Sequence, residues 1–183
     1  KQAIILSAIF AAVTLQLSAQ NATPLQLSGK VKDLKTGKVY LEKYDNKIFK
    51  KIDSAKIVNG SFKFTTVVEL PELYGIRLEE QSYPFQLFLD QAKVTVELDP
   101  ENTRNGLKVT GSKEQDRFES LKKRQKDLSI EQLIKEDPAS IVTAFTFFRN
   151  YSYSLTPEEI QNNLVLLSSK LKNSQYVHIL EGL

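Results

Sequence analysis

The sequence predicts an α+β chain in β-then-α order: an N-terminal antiparallel β-sandwich or barrel of about 7–9 short strands, then a C-terminal segment of about 4–5 helices. Three observations predict it. Apolar residues alternate with polar ones at a period of two from Gln20 to about Gly111. Turn residues punctuate that stretch at short intervals, and from Ser112 onward the apolar period becomes helical. The expected organisation is a leader over residues 1–19, a β domain over 20–111 and a helical segment over 112–183.

The leader is read from the order of its parts. Lys1 is a short basic region and Ala3 to Leu17 is mostly apolar. Leu17-Ser18-Ala19 ends in the small residue that signal peptidase requires, so Gln20 would begin the mature chain. The apolar run falls short of the ~20 residues of a transmembrane helix and lacks a basic stop-transfer flank. A buried core helix or an uncleaved anchor is the competing reading. Cleavage would leave a chain with no stable membrane span.

The strands follow in order. Leu25, Leu27, Gly29 and Val31 alternate with polar residues, as do Val39 and Leu41. Lys51 to Val58 and Ser61 to Glu69 flank Asn59-Gly60, a strong hairpin signal because both residues tolerate positive φ. Ile76 with Leu78, then Phe85, Leu87 and Leu89, then Val94, Val96 and Leu98, and a short Leu107–Val109 continue the pattern. Each reads as a half-buried strand. Turns are expected at Lys35-Thr36-Gly37, Asp45-Asn46, Asp99-Pro100 and Asn105-Gly106.

The helices follow from caps and stripes. Ser112 can cap a first helix with Phe118, Leu121, Gln125 and Leu128 on one face. Ser129 opens a second that ends before Pro138. Ile141, Val142, Phe145, Phe148 and Tyr151 form an aromatic third stripe. Thr156-Pro157-Glu158-Glu159 is a capping box with Pro in the first helical position. Ile160, Leu164, Leu167 and Leu171 then predict one continuous amphipathic face. Ser174 can cap a last helix carrying Val177, Leu180 and Leu183.

The chain has no Cys and one His, His178. Thiol nucleophiles, C-x-x-C redox chemistry, disulfides and Cys-based zinc sites are therefore excluded for these residues. His178 has no evident co-ligand, and a structural role is expected. No catalytic residue, cofactor or metal ligand set is predicted. The formal charge of +3 is too weak a surplus to argue for nucleic acid.

The run I-D-S-A at 52–55, then N-G-S-F-K-F at 59–64 ending in Pro71, resembles domain of unknown function 4369. That domain commonly precedes a thioredoxin-like domain in exported bacterial thiol-disulfide oxidoreductases. The helical half, with G-S-K-E-Q-D-R-F, P-A-S, T-P-E-E and S-Q-Y-V, resembles the region between the two. The resemblance implies an exported protein of a Gram-negative periplasm or cell envelope. Its partner would be a thioredoxin-like domain in cis or another envelope protein. The Gly-x-x-Ala-Pro segment and W-C-x-x-C site of the longer relatives are absent from these residues, so redox activity is expected of a longer parent only.

Several residues admit two readings. Asp53 and Ser54 are either a docking determinant or a strand-end turn bonding nearby N–H groups. With Gly60, Phe62 and Phe64 they complete the family-like motif, which is expected to be structural. Tyr40, Tyr44, Tyr74 and Tyr83 are either a sugar-stacking platform or ordinary sheet residues. Phe145, Phe147, Phe148, Tyr151 and Tyr153 are either a core helix packed on two sides or a hydrophobic surface for a partner domain. Lys122, Lys123, Arg124 and Lys126 are either a solvated face or a contact for anionic lipid or glycan.

Three functions follow. The leading one is a non-catalytic, exported accessory module. The second is a free-standing envelope module that binds a glycan, peptide or lipid. The third, a carboxylate-based hydrolase, needs two acids brought together, and no spacing indicates such a pair.

Overall fold

Eight strands form one mixed sheet, curled into a nearly closed barrel, in a computed structural model that describes residues 22–124 and 128–183. They are β1 (Ala22–Val31), β2 (Thr36–Asp45), β3 (Ile48–Val58), β4 (Ser61–Glu69), β5 (Glu72–Leu78), β6 (Phe85–Leu89), β7 (Lys93–Leu98) and β8 (Leu107–Thr110). Their spatial order is β6-β5-β2-β3-β4-β1-β7-β8. The expected strands are thus present, but the sheet is not purely antiparallel. β1 runs antiparallel to β4 on one side and parallel to β7 on the other, with Leu27 beside Val94 and Gly29 beside Val96. A period of two records which face a strand buries, not which strand lies next to it. The expected leader lies outside the described residues.

Asn59 and Gly60 take φ values of 49° and 75°, the positive pair that a two-residue hairpin needs. The β2–β3 hairpin does the same one residue later than expected, at Asn46 and Lys47 with φ of 42° and 75°. A β-bulge at Ile52 interrupts the β2–β3 register: Leu41 pairs with Asp53, but Glu42 pairs with Lys51. Asp53 and Ser54 therefore sit within a strand beside a bulge, not at a strand end, and the Asp53 carboxylate accepts the Ser54 N–H at 2.7 Å.

The barrel interior is filled by Leu25, Leu27, Phe62, Phe64, Ile76, Leu87, Val94 and Val96. Phe62 and Phe64 meet edge to face at 5.7 Å. Phe62 lies over its cross-strand partner Gly29, where an added Cβ would stand 2.1 Å from the ring. Gly29→Ala must therefore push this ring out of place. It is expected to cost about 2 kcal/mol, within the range of overpacked cores, as a lowered urea midpoint at unchanged slope.

Five α-helices follow: α1 (Lys113–Lys122), α2 (Ile130–Glu136), α3 (Ile141–Thr146), α4 (Pro157–Leu164) and α5 (Gln175–Glu181). Ser112, Ser129, Thr156 and Ser174 cap four of them as expected, and Ser129 and Thr156 form full capping boxes. The stripe over 160–171 is not one helix. α4 ends at Leu164, and Ser169–Leu171 is a separate 3-10 turn. Ser168 breaks the run: its N–H donates to the Pro138 carbonyl at 2.8 Å and its hydroxyl accepts from Lys170 N–H. A serine side chain offers the backbone this alternative to helical bonding. α3 runs on into a π-helical turn over 147–151.

These helices pack on the barrel's outer surface. Tyr44, Leu73 and Phe88 turn outward from β2, β5 and β6 into a second core with Leu121, Leu133, Phe145, Phe148, Tyr176 and Leu180. β5 and β6 are consequently buried on both faces, since Tyr74 and Leu87 point into the barrel. The first turn of α1 also covers the outer edge of β6. Phe88 N–H donates to Gln115 Oε1 at 2.8 Å, and the Ser112 hydroxyl donates to the Phe88 carbonyl at 2.7 Å. That satisfies backbone groups an edge strand would otherwise leave open.

Candidate functional site

The seam between barrel and helices contains a cleft of about 450 Å³. β2 and β3 form one wall with Lys43, Lys50 and Ile52, and the β4–β5 turn forms the floor with Glu69, Pro71 and Glu72. Leu171, Gln175 and His178 close the helical side. The turn is held from inside the barrel: Tyr74 O–H donates to the Glu69 carbonyl at 2.8 Å and accepts the Glu69 N–H at 3.0 Å.

Most charges in the cleft are paired. Lys43 bonds Glu69 at 2.7 Å across its mouth, and Lys50 bonds Asp45 on the hairpin. His178 is exposed on the rim, 3.4 Å from Glu181. At the base lies Glu72, a buried carboxylate that accepts from three donors: Tyr176 O–H, Gln175 Nε2 at 2.9 Å and Leu73 N–H at 2.7 Å. Gln175 Nε2 also donates to the Tyr44 carbonyl at 3.0 Å, so one side chain ties α5 to both β2 and β5. Burial pushes the Glu72 carboxyl above the usual range, against the opposing effect of its donors. Burial, and then the neighbouring Glu72 carboxylate, push the Tyr176 hydroxyl well up. This knot fastens α5 to the barrel, with two donors on Oε1 of the acid and one on Oε2.

A second concavity, also about 450 Å³, opens at the far mouth of the barrel between Leu34, Gly37, Leu78 and Pro100. Lys32 and Asp99 bridge its rim at 2.8 Å, and that hydrogen bond lowers the Asp99 carboxyl. Among the described residues no three or more His, Cys, Asp or Glu side chains stand together as a metal site. No helix among them is long and apolar enough to cross a membrane.

The residues singled out in the sequence fall in different places. Phe145, Phe147 and Phe148 are buried in the second core. Tyr151 is half-buried and donates to the Leu128 carbonyl at 2.9 Å. Tyr153 alone of the five rings is exposed, at 65%, with Lys47 over it at 5.2 Å. The five rings therefore do not form a hydrophobic surface: the stripe is wide because it packs against the barrel on one side and against α5 on the other. Tyr44 and Tyr74 are buried, in separate cores, which removes the sugar-stacking platform. Tyr40 is half-buried beneath Arg77, and Tyr83 is exposed. Gly60, Phe62 and Phe64 serve the hairpin and the barrel core. In the basic run, Lys122 pairs with Glu119 and Arg124 with Glu136 on α2, and Lys126 lies outside the described residues.

Sequence reasoning missed Glu72, Gln175 and Tyr176. A signal existed for the first: Glu72 opens the mostly apolar strand E-L-Y-G-I-R-L, and an acid in a strand buried on both faces requires donors.

The described residues thus form a nearly closed mixed barrel with helices packed on its flank and a charged cleft at the seam. The family model for a domain of unknown function (DUF4369) matches residues 25–118, just over half of the 183 residues, and the chain belongs to that family. The match spans β1 to β8 and enters α1. No curated protein and no solved structure shows a significant match.

Proposed function

We propose that the chain is a non-catalytic interaction module of the bacterial cell envelope. It acts as accessory to a thioredoxin-like oxidoreductase domain that carries the redox chemistry. The observation behind this reading is the seam cleft. It is large enough for a ligand or a partner's side chains, and its walls are held by the Glu72–Gln175–Tyr176 knot. Its carboxylates are committed, Glu69 to Lys43 and Glu72 to three donors, which speaks against acid–base catalysis there. The cleft's volume also suits a small polar ligand, and that favours the second reading, a free-standing module for a glycan or peptide.

Site-specific photo-cross-linking in the native cell tests the proposal. A photoreactive residue at Ile52, on the cleft wall, should yield a discrete adduct with a thioredoxin-like protein. The same probe at the exposed Tyr83 should not. Equal adducts at both positions, or an Ile52 adduct only with saccharide, would reject the accessory role.

A further inference from the structure

We infer that the open side of β3 receives an extended, acidic segment of a partner protein, which adds to the sheet as a further strand. This rests on the reading of the chain as an interaction module and names the chemistry of its partner.

β3 and β4 leave the Asn59-Gly60 turn together but share a single ladder pair, Val58 with Ser61. Carried on, that register would set Lys56 opposite Lys63. The ladder between the two strands ends with the Val58–Ser61 pair. Beyond it, among the described residues, β3 has only β2 as a strand neighbour and β4 has only β1. Each strand therefore turns a row of backbone N–H and C=O groups toward the gap. The contrast with β6 is informative, because there Ser112 and Gln115 cover the edge.

The chemistry of the occupant follows from the side chains beside the gap. Lys56 and Lys63 are exposed, and neither forms an ion pair among the described residues. A carboxylate on an inserted strand would lie between the two ammonium groups. Ile52 and Val67, 41% and 62% exposed, offer apolar contact on either side. The same edge of a second copy would bring lysine against lysine, so the charge pattern selects an acidic partner strand over self-pairing. Main-chain hydrogen bonds would supply affinity and the alternate side chains specificity, as in other strand-addition complexes.

The test uses the purified chain and three blocked nine-residue peptides: alternating Val and Glu, alternating Val and Lys, and the Val–Glu peptide N-methylated at alternate amides. The Val–Glu peptide should give saturable NMR shifts and slowed amide exchange along 50–57. N-methylation should abolish both effects, because it removes the ladder donors. The Lys56→Glu/Lys63→Glu double variant should weaken binding at least about tenfold, since rim charges set complementarity, while its own spectrum reports that it is folded. Equal binding of the Val–Lys or the N-methylated peptide would overturn the inference, as would the absence of any response along β3. Edge-to-edge dimerisation in sedimentation would overturn it too. If the peptides fail while the Ile52 cross-link to a thioredoxin-like protein persists, the interaction module stands and only strand addition falls.

Discussion

Phe145→Ala is expected to lower stability by about 4 kcal/mol, the range for a truncated core aromatic. Phe145 is the hub of the second core. Its ring meets Tyr44 at 5.7 Å, Phe88 at 5.3 Å, Phe118 at 6.3 Å and Tyr176 at 5.5 Å. Those partners come from β2, β6, α1 and α5, so a cavity here loosens every contact between barrel and helices at once. Tyr153→Ala serves as the control. It removes an exposed ring and should stay within about 0.5 kcal/mol of the parent. Urea denaturation of both variants checks the pair. Similar losses would mean that the aromatic stripe does not divide into core and surface as described.

Glu72→Ala is expected to cost about 3 kcal/mol, because it strands the buried Tyr176 hydroxyl and two further donors. For a chain of this size that corresponds to a fall in Tm of roughly 10 °C. Glu72→Gln separates charge from packing. The folded carboxyl titrates above its ordinary value of 4.5, chiefly because of burial. The folded protein thus holds this proton more tightly than the unfolded chain does. The associated stability is fully present below pH 4.5 and is lost as pH rises through the folded value. Glu114, also raised by burial, acts in the same direction. The glutamine variant should flatten the decline in Tm between mildly acidic and neutral pH, measured by circular dichroism across that range. An unchanged pH profile would show that the Glu72 carboxyl is not raised in the folded protein relative to the unfolded chain.

The sequence carried the local structure far. Alternation located most of the strands, and Asn59-Gly60 located the turn between β3 and β4, because both signals are written in neighbouring residues. Ser112, Ser129, Thr156 and Ser174 marked helix starts for the same reason. What failed was non-local. The parallel β1–β7 pair joins residues far apart in the chain, and no periodicity encodes it. The break after Leu164 depends on Ser168 reaching Pro138. The aromatic stripe at Phe145–Tyr153 was legible as apolar, but which rings faced outward depended on where the barrel lay. The cleft was the least visible feature, since Glu72 and Gln175 are 103 residues apart and meet only when α5 docks on β5.

Barrel and helices form one body joined through Glu72, Gln175, Tyr176 and Phe145. The helices are thus a standing wall of the cleft. Native-state hydrogen exchange tests this most directly. The slowest amides of β5 and of α5 should share one opening free energy and one denaturant dependence, as a single cooperative unit requires. Exchange of α5 through a separate, lower-energy opening while β5 stays protected would show that the two are not one body and leave the cleft without a fixed wall.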